Sequence, residues 1–526
     1  MASQSTIIRK TVGGAAWTVF TSIGSRIIGA VGTIVVTYFI SPEIAGEVKV
    51  AYILVVLSHE LTSFGIGQFV ASKPKESPDV VWHATVLHLA IGIPAILLSI
   101  PVAYLWSGFF GMPGLMAYIP GLVVAVLFER LHIIPERVLT RELDFRPVSL
   151  ARGIAEVVYT VLVIGLAMVW TRIGLTPESI GLSMVYANIA KYAFMFTYNA
   201  WASKKDVWLT PAKWSWEKAR AIFRFGIPIS IAGLSSYASR NLDTLVFAKL
   251  FGPAPTGAYD KAYNLADIPA VQVGEQIGDV LLPSFAQMEE EDRKKALVRS
   301  TALLSVIIFP LATGLGATAD TLIKTILPQE WWSVGPMLAI LSGLAIVRPV
   351  GWTIMSYLQA CDRPKTVMII GILKVLVLLA AVALFGKLGQ GLGGEAGDEI
   401  GPLWACVGVS VGFLFHAISG MWVIKRKDGI PLSKFARACT PPLIACVPMV
   451  LAVLGARWLW SRYGIEVRGL AFFVEVIVGA IVYVPAAMLL ARETSHDLIH
   501  LVKDQIRARR GEAISVLPPV SSDDLE

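Results

Sequence analysis

Charged side chains inside apolar stretches are the residues of this sequence with the clearest capacity for chemistry. Arg26, Arg240 and Lys191 fall well inside such stretches. A charge at the depth of a bilayer costs at least ~2.5 kcal/mol, so it is retained where it pairs with a counter-charge, faces water or binds a ligand. Arginine forms paired hydrogen bonds with phosphate oxygens. A buried carboxylate holds a proton more readily than an exposed one. The sequence therefore predicts that cationic side chains within the apolar stretches bind an anion and that buried carboxylates couple to an ion.

Polar residues follow one face of the stretch 257–286. The stripe comprises Asp260, Asn264, Asp267, Glu275 and Asp279. Their spacing keeps them on one side of a helix, and a polar stripe on a membrane helix must face protein or water. Upstream, Arg240 and Asp243 are three residues apart and share a helix face. We expect Asp243 to hold Arg240 in place when no ligand is bound. A network of ion pairs between helices, without a ligand, is the alternative.

The candidate site residues fall into two groups. The predicted substrate-binding cations are Arg26, Arg240, Lys49, Lys261 and Arg130. The predicted coupling or gating carboxylates are Asp243, Asp267, Glu275, Asp279 and Glu129. Lys49 and Lys261 lie near the ends of apolar stretches, where snorkelling to the interface is the alternative. Glu129 and Arg130 belong to a cluster that either gates the inner mouth or snorkels. The sequence carries no nucleophile triad, phosphate-cradling glycine loop or metal-ligand cluster.

Long apolar segments position these residues, and 55% of the 526 residues are hydrophobic. About 20 apolar residues cross ~30 Å of hydrocarbon as a helix, and unalternating segments of this length exclude a barrel. The predicted fold is an all-α integral membrane protein with fourteen transmembrane helices. The predicted spans are 14–40, 46–71, 82–106, 115–139, 149–171, 179–201, 222–250, 257–286, 298–319, 335–360, 366–386, 402–424, 436–457 and 469–491.

Lys and Arg are concentrated in alternate loops, starting with the N-terminal segment. The remaining loops hold only Arg172, Lys324, Lys387, Arg457, Arg462 and Arg468. Cytoplasmic loops carry the excess of Lys and Arg, so we expect both termini in the cytoplasm. The net charge of +7 thus reflects topology and not nucleic-acid binding. The four cysteines have no disulfide or metal spacing, and no cleavable signal peptide is evident.

Two loops of the sequence resemble each other. Pro42 and Gly46 match Pro253 and Gly257 at the same separation along the chain. Each pair lies between the first two spans of a six-helix set, which predicts a parallel repeat about an axis along the membrane normal. The predicted regions are an N-terminal lobe, a C-terminal lobe, two extra helices, and an amphipathic helix (496–510) with a polar tail. Their bounds are 1–204, 205–434, 435–493 and 494–526.

Several segments resemble the polysaccharide repeat-unit flippases of bacteria, the Wzx group of the multidrug/oligosaccharidyl-lipid/polysaccharide exporter superfamily. They are RNLDTLVFAKLFG (240–252), TGAYDKAYNLADIP (256–269), LPSFA (282–286), LPQEWW (327–332) and LTRELDFR (139–146). The resemblance implies two six-helix lobes around a central cavity, with two extra helices. It implies a substrate, an undecaprenyl-pyrophosphate-linked oligosaccharide, moved from the cytoplasmic to the periplasmic leaflet of the inner membrane. Polysaccharide polymerase and export proteins are the implied partners.

Three alternatives remain at this point. A cation-coupled multidrug exporter or a lipid II flippase shares the architecture, and the acidic stripe suits a cation-coupled protein. A membrane enzyme such as a polysaccharide polymerase normally carries a large outer loop, and the longest outer loop here is 387–401. A scaffold without transport has no need of Arg26 or Arg240 at depth. No cofactor is expected, and H+ or Na+ is the candidate coupling ion.

Overall fold

Helices make up all the regular structure in the part of the chain that the computed structural model describes. That part covers residues 24–25, 28–72, 77–463 and 469–509. For 269–280, 344–345, 502 and 504–509 only the backbone is described. The predicted all-helical fold is confirmed for the described residues. The polar tail of the predicted C-terminal region lies outside the described residues.

The described helices are numbered in chain order. They are α1 (28–36), α2 (Pro42–Leu61), α3 (Ile66–Ser72), α4 (Pro78–Phe110), α5 (Leu115–Arg141), α6 (Phe145–Arg172), α7 (Pro177–Ala202), α8 (Lys205–Trp208), α9 (Trp216–Phe251), α10 (Pro253–Gln287), α11 (Glu290–Ile326), α12 (Val334–Ser342), α13 (Leu344–Ala360), α14 (Pro364–Gly393), α15 (Gly397–Asp428), α16 (Leu432–Arg462), α17 (Leu470–Leu490) and α18 (Arg492–Arg509). Short 3-10 turns at Gln329–Trp331 and Gly394–Ala396 precede α12 and α15.

Eight stretches of the described chain are long and apolar enough to cross a membrane, or up to ten if each of two bent helix pairs is one span. Pro364–Asp428, which contains α14 and α15, counts once among the eight. Helices α7 and α10 are not among them, because polar residues lower their mean hydropathy. Residues 14–23 and 26–27 of the predicted span 14–40 lie outside the described residues. The count of fourteen therefore stays a prediction.

Two compact units divide the chain. The first comprises Met1–Leu265, Ile323–Ile340 and Met368–Gly412, and the second comprises Ala266–Leu322, Leu341–Val367 and Phe413–Glu526. The core of the first unit includes Ile44, Val55, Tyr118 and Leu122, all buried. Close van der Waals packing of such side chains holds membrane helices together, because lipid gives no hydrophobic driving force between them. The predicted lobe boundaries are not tested by this division.

A break in the second predicted span has a defined local cause. The chain turns at Phe64 and Gly65, which have φ of 44° and 59°, and α2 and α3 meet at a bend of 55°. Helix α9 fits into this turn. A Cβ on Gly226 would lie 1.9 Å from the carbonyl oxygen of Phe64, so only glycine allows the approach. The hydroxyls of Ser63 and Ser230 lie 2.9 Å apart beside it.

The second unit contains the C-terminal hairpin of α16 and α17. Arg457 of α16 contacts both carboxylate oxygens of Glu475 at 3.0 Å, and Thr321 of α11 donates to Glu475 at 2.8 Å. Arg457, assigned from the sequence to an outer loop, thus lies on a helix as part of a polar network. The predicted amphipathic helix is observed as α18, where Asp497 pairs with Arg299 of α11 at 2.7 Å. Helix α11 therefore anchors both the hairpin and α18.

Candidate functional site

Residues that the sequence pairs as repeat equivalents meet each other in the structure. The first turns of α2 and α10 cross with their backbones in contact. A Cβ on Gly46 would lie 2.0 Å from the carbonyl oxygen of Pro253, and a Cβ on Gly257 would lie 1.9 Å from that of Pro42. The contact is reciprocal, as expected for two similar elements related by a local twofold axis. Only glycine at both positions permits this approach.

One turn further along both helices, Lys49 and Asp260 form a salt bridge. The Lys49 Nζ lies 2.9 Å from Asp260 Oδ1, and about a quarter of each side chain is exposed. Lys261 donates to the carbonyl oxygen of Thr33 at 3.0 Å, and its ammonium lies 5.3 Å from the centre of the Trp331 ring. Lys49 and Lys261, predicted as substrate ligands, are therefore occupied by protein contacts in this state.

Further contacts of the same kind surround this crossing, and all lie within the first unit. Trp331 Nε1 donates to the carbonyl oxygen of Ile40 at 3.1 Å. The Tyr38 hydroxyl donates to the carbonyl oxygen of Ile326 at 3.2 Å. We name the group Pro42, Gly46, Lys49, Pro253, Gly257, Asp260, Lys261 and Trp331 the crossing cluster. It joins helices from the two halves of the sequence, at span ends that are predicted to lie on the membrane side opposite the N-terminus.

Arg130 is fully buried, and protein carbonyl oxygens occupy its guanidinium group. Its Nε and Nη2 donate to the His88 carbonyl at 3.0 and 2.8 Å. The same group donates to the carbonyls of His59 at 3.2 Å and Thr62 at 2.8 Å, where α2 ends. A guanidinium at a helix C-terminus satisfies carbonyls that have no partner within the helix. Arg130 thus caps the break between α2 and α3 in this state, and its predicted role in substrate binding stays a prediction.

Glu129, next along α5, lies among tyrosines and a lysine. It is near enough to Tyr192 and Lys191 of α7 to interact with both. The Tyr192 and Tyr52 hydroxyls are 3.0 Å apart, and the Tyr192 ring stacks on His132 at 6.0 Å. The polar face of α5 therefore turns inward towards α2 and α7. This placement keeps Glu129 as a coupling or gating candidate.

Lys191 itself forms an ion pair with Glu156 of α6. Its Nζ lies 2.9 Å from Glu156 Oε2, with about a quarter of each side chain exposed. The ammonium also lies 5.3 Å from the centre of the Tyr159 ring and 5.9 Å from that of Tyr192. Sequence reasoning placed Lys191 at mid-span but did not identify Glu156 as its partner. A signal was present, because Glu156 lies inside the preceding predicted span and charges at membrane depth often pair with one another.

Asp243 is fully buried, while Arg240 lies on the exposed surface of the same helix. The Tyr259 hydroxyl donates to Asp243 Oδ2 at 2.6 Å, and the Thr244 N–H donates to Oδ1 at 2.8 Å. Tyr259, 1% exposed, stacks on Phe247 at 3.9 Å between ring centres. The observed hydrogen bonds of Asp243 thus join α9 to α10. Sequence reasoning missed Tyr259 as the donor to this carboxylate.

Asp267 of α10 forms an ion pair with Arg348 of α13 in the second unit. The Arg348 guanidinium also lies 4.8 Å from the centre of the Phe413 ring. The acidic stripe of α10 thus contributes at least two residues, Asp260 and Asp267, to ion pairs with other helices. Of the other predicted site residues, Arg26 lies outside the described residues, and so do the side chains of Glu275 and Asp279. Their roles stay predictions.

The described residues form eight to ten candidate spans, all helical, with ion pairs on apolar helices, as in a multi-pass membrane protein. Residues 35–336 match the profile of the polysaccharide biosynthesis protein family, and the chain belongs to that family. The expected kinship with polysaccharide flippases is confirmed by its relatives.

Two relatives extend over most of the chain. The succinoglycan biosynthesis transport protein ExoT of Rhizobium meliloti is 23% identical over 94% of this chain and 96% of its own length. The lipopolysaccharide biosynthesis protein WzxC of Escherichia coli is 24% identical over 73% of this chain and 77% of its own.

Two solved structures share the fold. The lipid II flippase MurJ in an inward closed conformation has a TM-score of 0.66 and 14% identity, covering 90% of this chain and 99% of MurJ. An inward-facing multidrug resistance MATE transporter has a TM-score of 0.61 and 15% identity, covering 76% of this chain and 94% of its own. The fold is therefore that of a membrane transporter.

Proposed function

We propose that this protein is a flippase for lipid-linked oligosaccharide repeat units in bacterial polysaccharide biosynthesis. The substrate is an undecaprenyl-pyrophosphate-linked oligosaccharide, moved from the cytoplasmic to the periplasmic leaflet of the inner membrane. Membership of the family, a relative named for succinoglycan transport and the transporter fold support this proposal. Both termini then lie in the cytoplasm. Polysaccharide polymerase and export proteins are the downstream partners.

The contacts within the crossing cluster are the strongest structural support for this proposal. Alternating access requires contacts between the two halves that hold one side closed and then part. The Lys49–Asp260 pair is partly exposed, and an ion pair of that kind contributes about 0–1 kcal/mol. The two helices of the crossing cluster fit closely at their glycines, but only a weak ion pair holds them together. Such a contact can both close and open, as a gate must. We assign the crossing cluster as the periplasmic gate.

Opening of this gate releases cations for the substrate. Lys49 and Lys261 then lose their protein partners and become available to the anionic pyrophosphate. Arg240 is exposed on α9, and its planar fork matches phosphate oxygens. Asp243, Glu129, Glu275 and Asp279 are the carboxylates that we propose for coupling to H+ or Na+. Asp267 has the weakest claim to that role, because Arg348 already neutralises it.

The proposed function is tested by depleting the protein in its host cell. We expect lipid-linked repeat units to be made in normal amounts but to remain on the cytoplasmic leaflet, so that surface polysaccharide is lost. The measurement is the fraction of labelled lipid-linked oligosaccharide accessible to an impermeant glycosidase in spheroplasts. Failure to synthesise the lipid-linked unit favours an enzyme. Accumulation of peptidoglycan precursor instead favours a lipid II flippase.

A further inference from the structure

The Lys191–Glu156 pair lies well inside two predicted spans, away from the crossing cluster. Lys191 is in the middle of α7, and Glu156 is on α6, 2.9 Å away. Lys191 lies about ten residues, or ~15 Å, from the nearer end of its predicted span, which is farther than its side chain can snorkel. Both Lys191 and Glu156 are partly exposed, at 25% and 27% of their side chains. Because charged groups avoid hydrocarbon, the exposed part of this pair faces water or a polar ligand.

Two tyrosine rings lie near the ammonium of Lys191. The rings of Tyr159 and Tyr192 lie 5.3 and 5.9 Å from Nζ, and Tyr52 reaches Tyr192 through its hydroxyl. A tyrosine presents an apolar ring and a polar hydroxyl, which together suit the face and the edge of a sugar. A lysine supplies three rotatable donors to an anion. The four side chains thus offer a cation beside ring surfaces.

A glycine on α1, Gly29, leaves space for the Glu156 carboxylate. A Cβ on Gly29 would lie 2.8 Å from Glu156 Oε1, so any larger residue there would press on the carboxylate. One turn further, Gly32 leaves the same kind of space for Thr160. Two glycines on one face of α1 therefore allow α6 to approach closely. The Glu156 carboxylate can therefore lie beside α1 and still contact Lys191, because residue 29 is a glycine.

We propose that Lys191, beside the partly exposed ring of Tyr159, forms a subsite for the pyrophosphate and first sugar of the lipid-linked substrate. Glu156 pairs with Lys191 when the subsite is empty. The inference rests on the proposed function and adds residues of α6 and α7 to it. An incoming pyrophosphate displaces the Glu156 carboxylate from the ammonium. When the substrate leaves, Glu156 pairs with Lys191 again, so the lysine is never left without a counter-charge at this depth.

Binding of undecaprenyl pyrophosphate to the full-length protein in lipid nanodiscs tests the subsite. Lys191→Met should weaken binding about ten- to hundredfold, the loss of one charge-assisted hydrogen-bonded contact. Lys191→Arg should retain most of the affinity. Glu156→Gln should tighten binding about two- to fivefold, because it removes a competitor of the strength of a partly exposed ion pair. Lys204→Met is the matched control, since Lys204 pairs with Glu142 at 3.0 Å on an exposed loop; it should bind normally.

The double variant Lys191→Met/Glu156→Gln keeps the test valid even where Lys191→Met fails to fold, because it also removes the carboxylate that Lys191→Met leaves without its ion-pair partner. We expect it to be as abundant as the wild type and still unable to bind tightly. Wild-type affinity in this double variant would mean that the pair is only structural and would overturn the subsite. Wild-type protein that does not bind undecaprenyl pyrophosphate at all would overturn the proposed function itself. Equal binding by the wild type and Lys191→Met overturns the subsite alone.

Discussion

Arg130→Ala should sharply reduce the amount of folded protein in the membrane. The substitution leaves the buried carbonyl oxygens of His59, Thr62 and His88 without their donors. It also opens a cavity beside Gly92, where the guanidinium fills the space that a Cβ would need. The expected loss is on the order of 3–5 kcal/mol in the free energy of unfolding. Arg130→Lys should recover little, because one ammonium cannot reach three separated carbonyls. Membrane abundance and melting temperature of the purified protein measure the effect.

Arg240→Ala is the matched comparison, since Arg240 is an exposed arginine on α9. We expect normal abundance, loss of polysaccharide export, and partial recovery in Arg240→Lys, which keeps the charge but not the planar fork. If Arg240 acts only structurally, abundance falls and Arg240→Ala/Asp243→Ala restores both abundance and export. If Arg130→Ala is abundant but inactive, the capping role that we assign to Arg130 is wrong and a substrate contact is the better assignment.

Gly46→Ala and Gly257→Ala should each prevent the crossing cluster from closing. The added Cβ would lie only 2.0 or 1.9 Å from a backbone carbonyl oxygen, far inside van der Waals contact. A backbone oxygen cannot rotate away as the end of a side chain can. The helices must separate, at a cost of about 1–3 kcal/mol. We expect export to be lost while the protein still inserts. The double variant Lys49→Cys/Asp260→Cys should be cross-linked readily by a short bifunctional thiol reagent when both glycines are present, and much more slowly when either is replaced by alanine.

Gly165→Ala is the control for the glycine variants. Gly165 lies on α6, and nothing lies within 4 Å of where its Cβ would be. Alanine there should leave export and cross-linking unchanged and should favour the helix by about 0.5–1 kcal/mol. Normal export and normal cross-linking in Gly46→Ala would contradict the assignment of this crossing as a gate.

Local sequence pattern was sufficient for several features of this protein. Apolar segments of span length predicted a helical membrane protein, because hydropathy over 20 residues depends on no distant contact. The C-terminal helix followed from its amphipathic pattern and is observed at Arg492–Arg509. The likeness of Pro42 and Gly46 to Pro253 and Gly257 indicated two equivalent turns, and only the structure shows that these turns contact each other. The span count was less secure, since helices such as α10 carry polar residues that their neighbours accommodate.

Only the tertiary structure decided which charges pair and which remain available. Asp260 pairs with Lys49 and Asp267 with Arg348, although both carboxylates belong to one stripe. Lys191 finds Glu156 on the preceding helix, and Arg130 finds carbonyl oxygens instead of a carboxylate. The rotation of each helix about its axis determines these partners. Packing between segments far apart in the chain determines that rotation. The spacing of residues within one segment therefore cannot predict it.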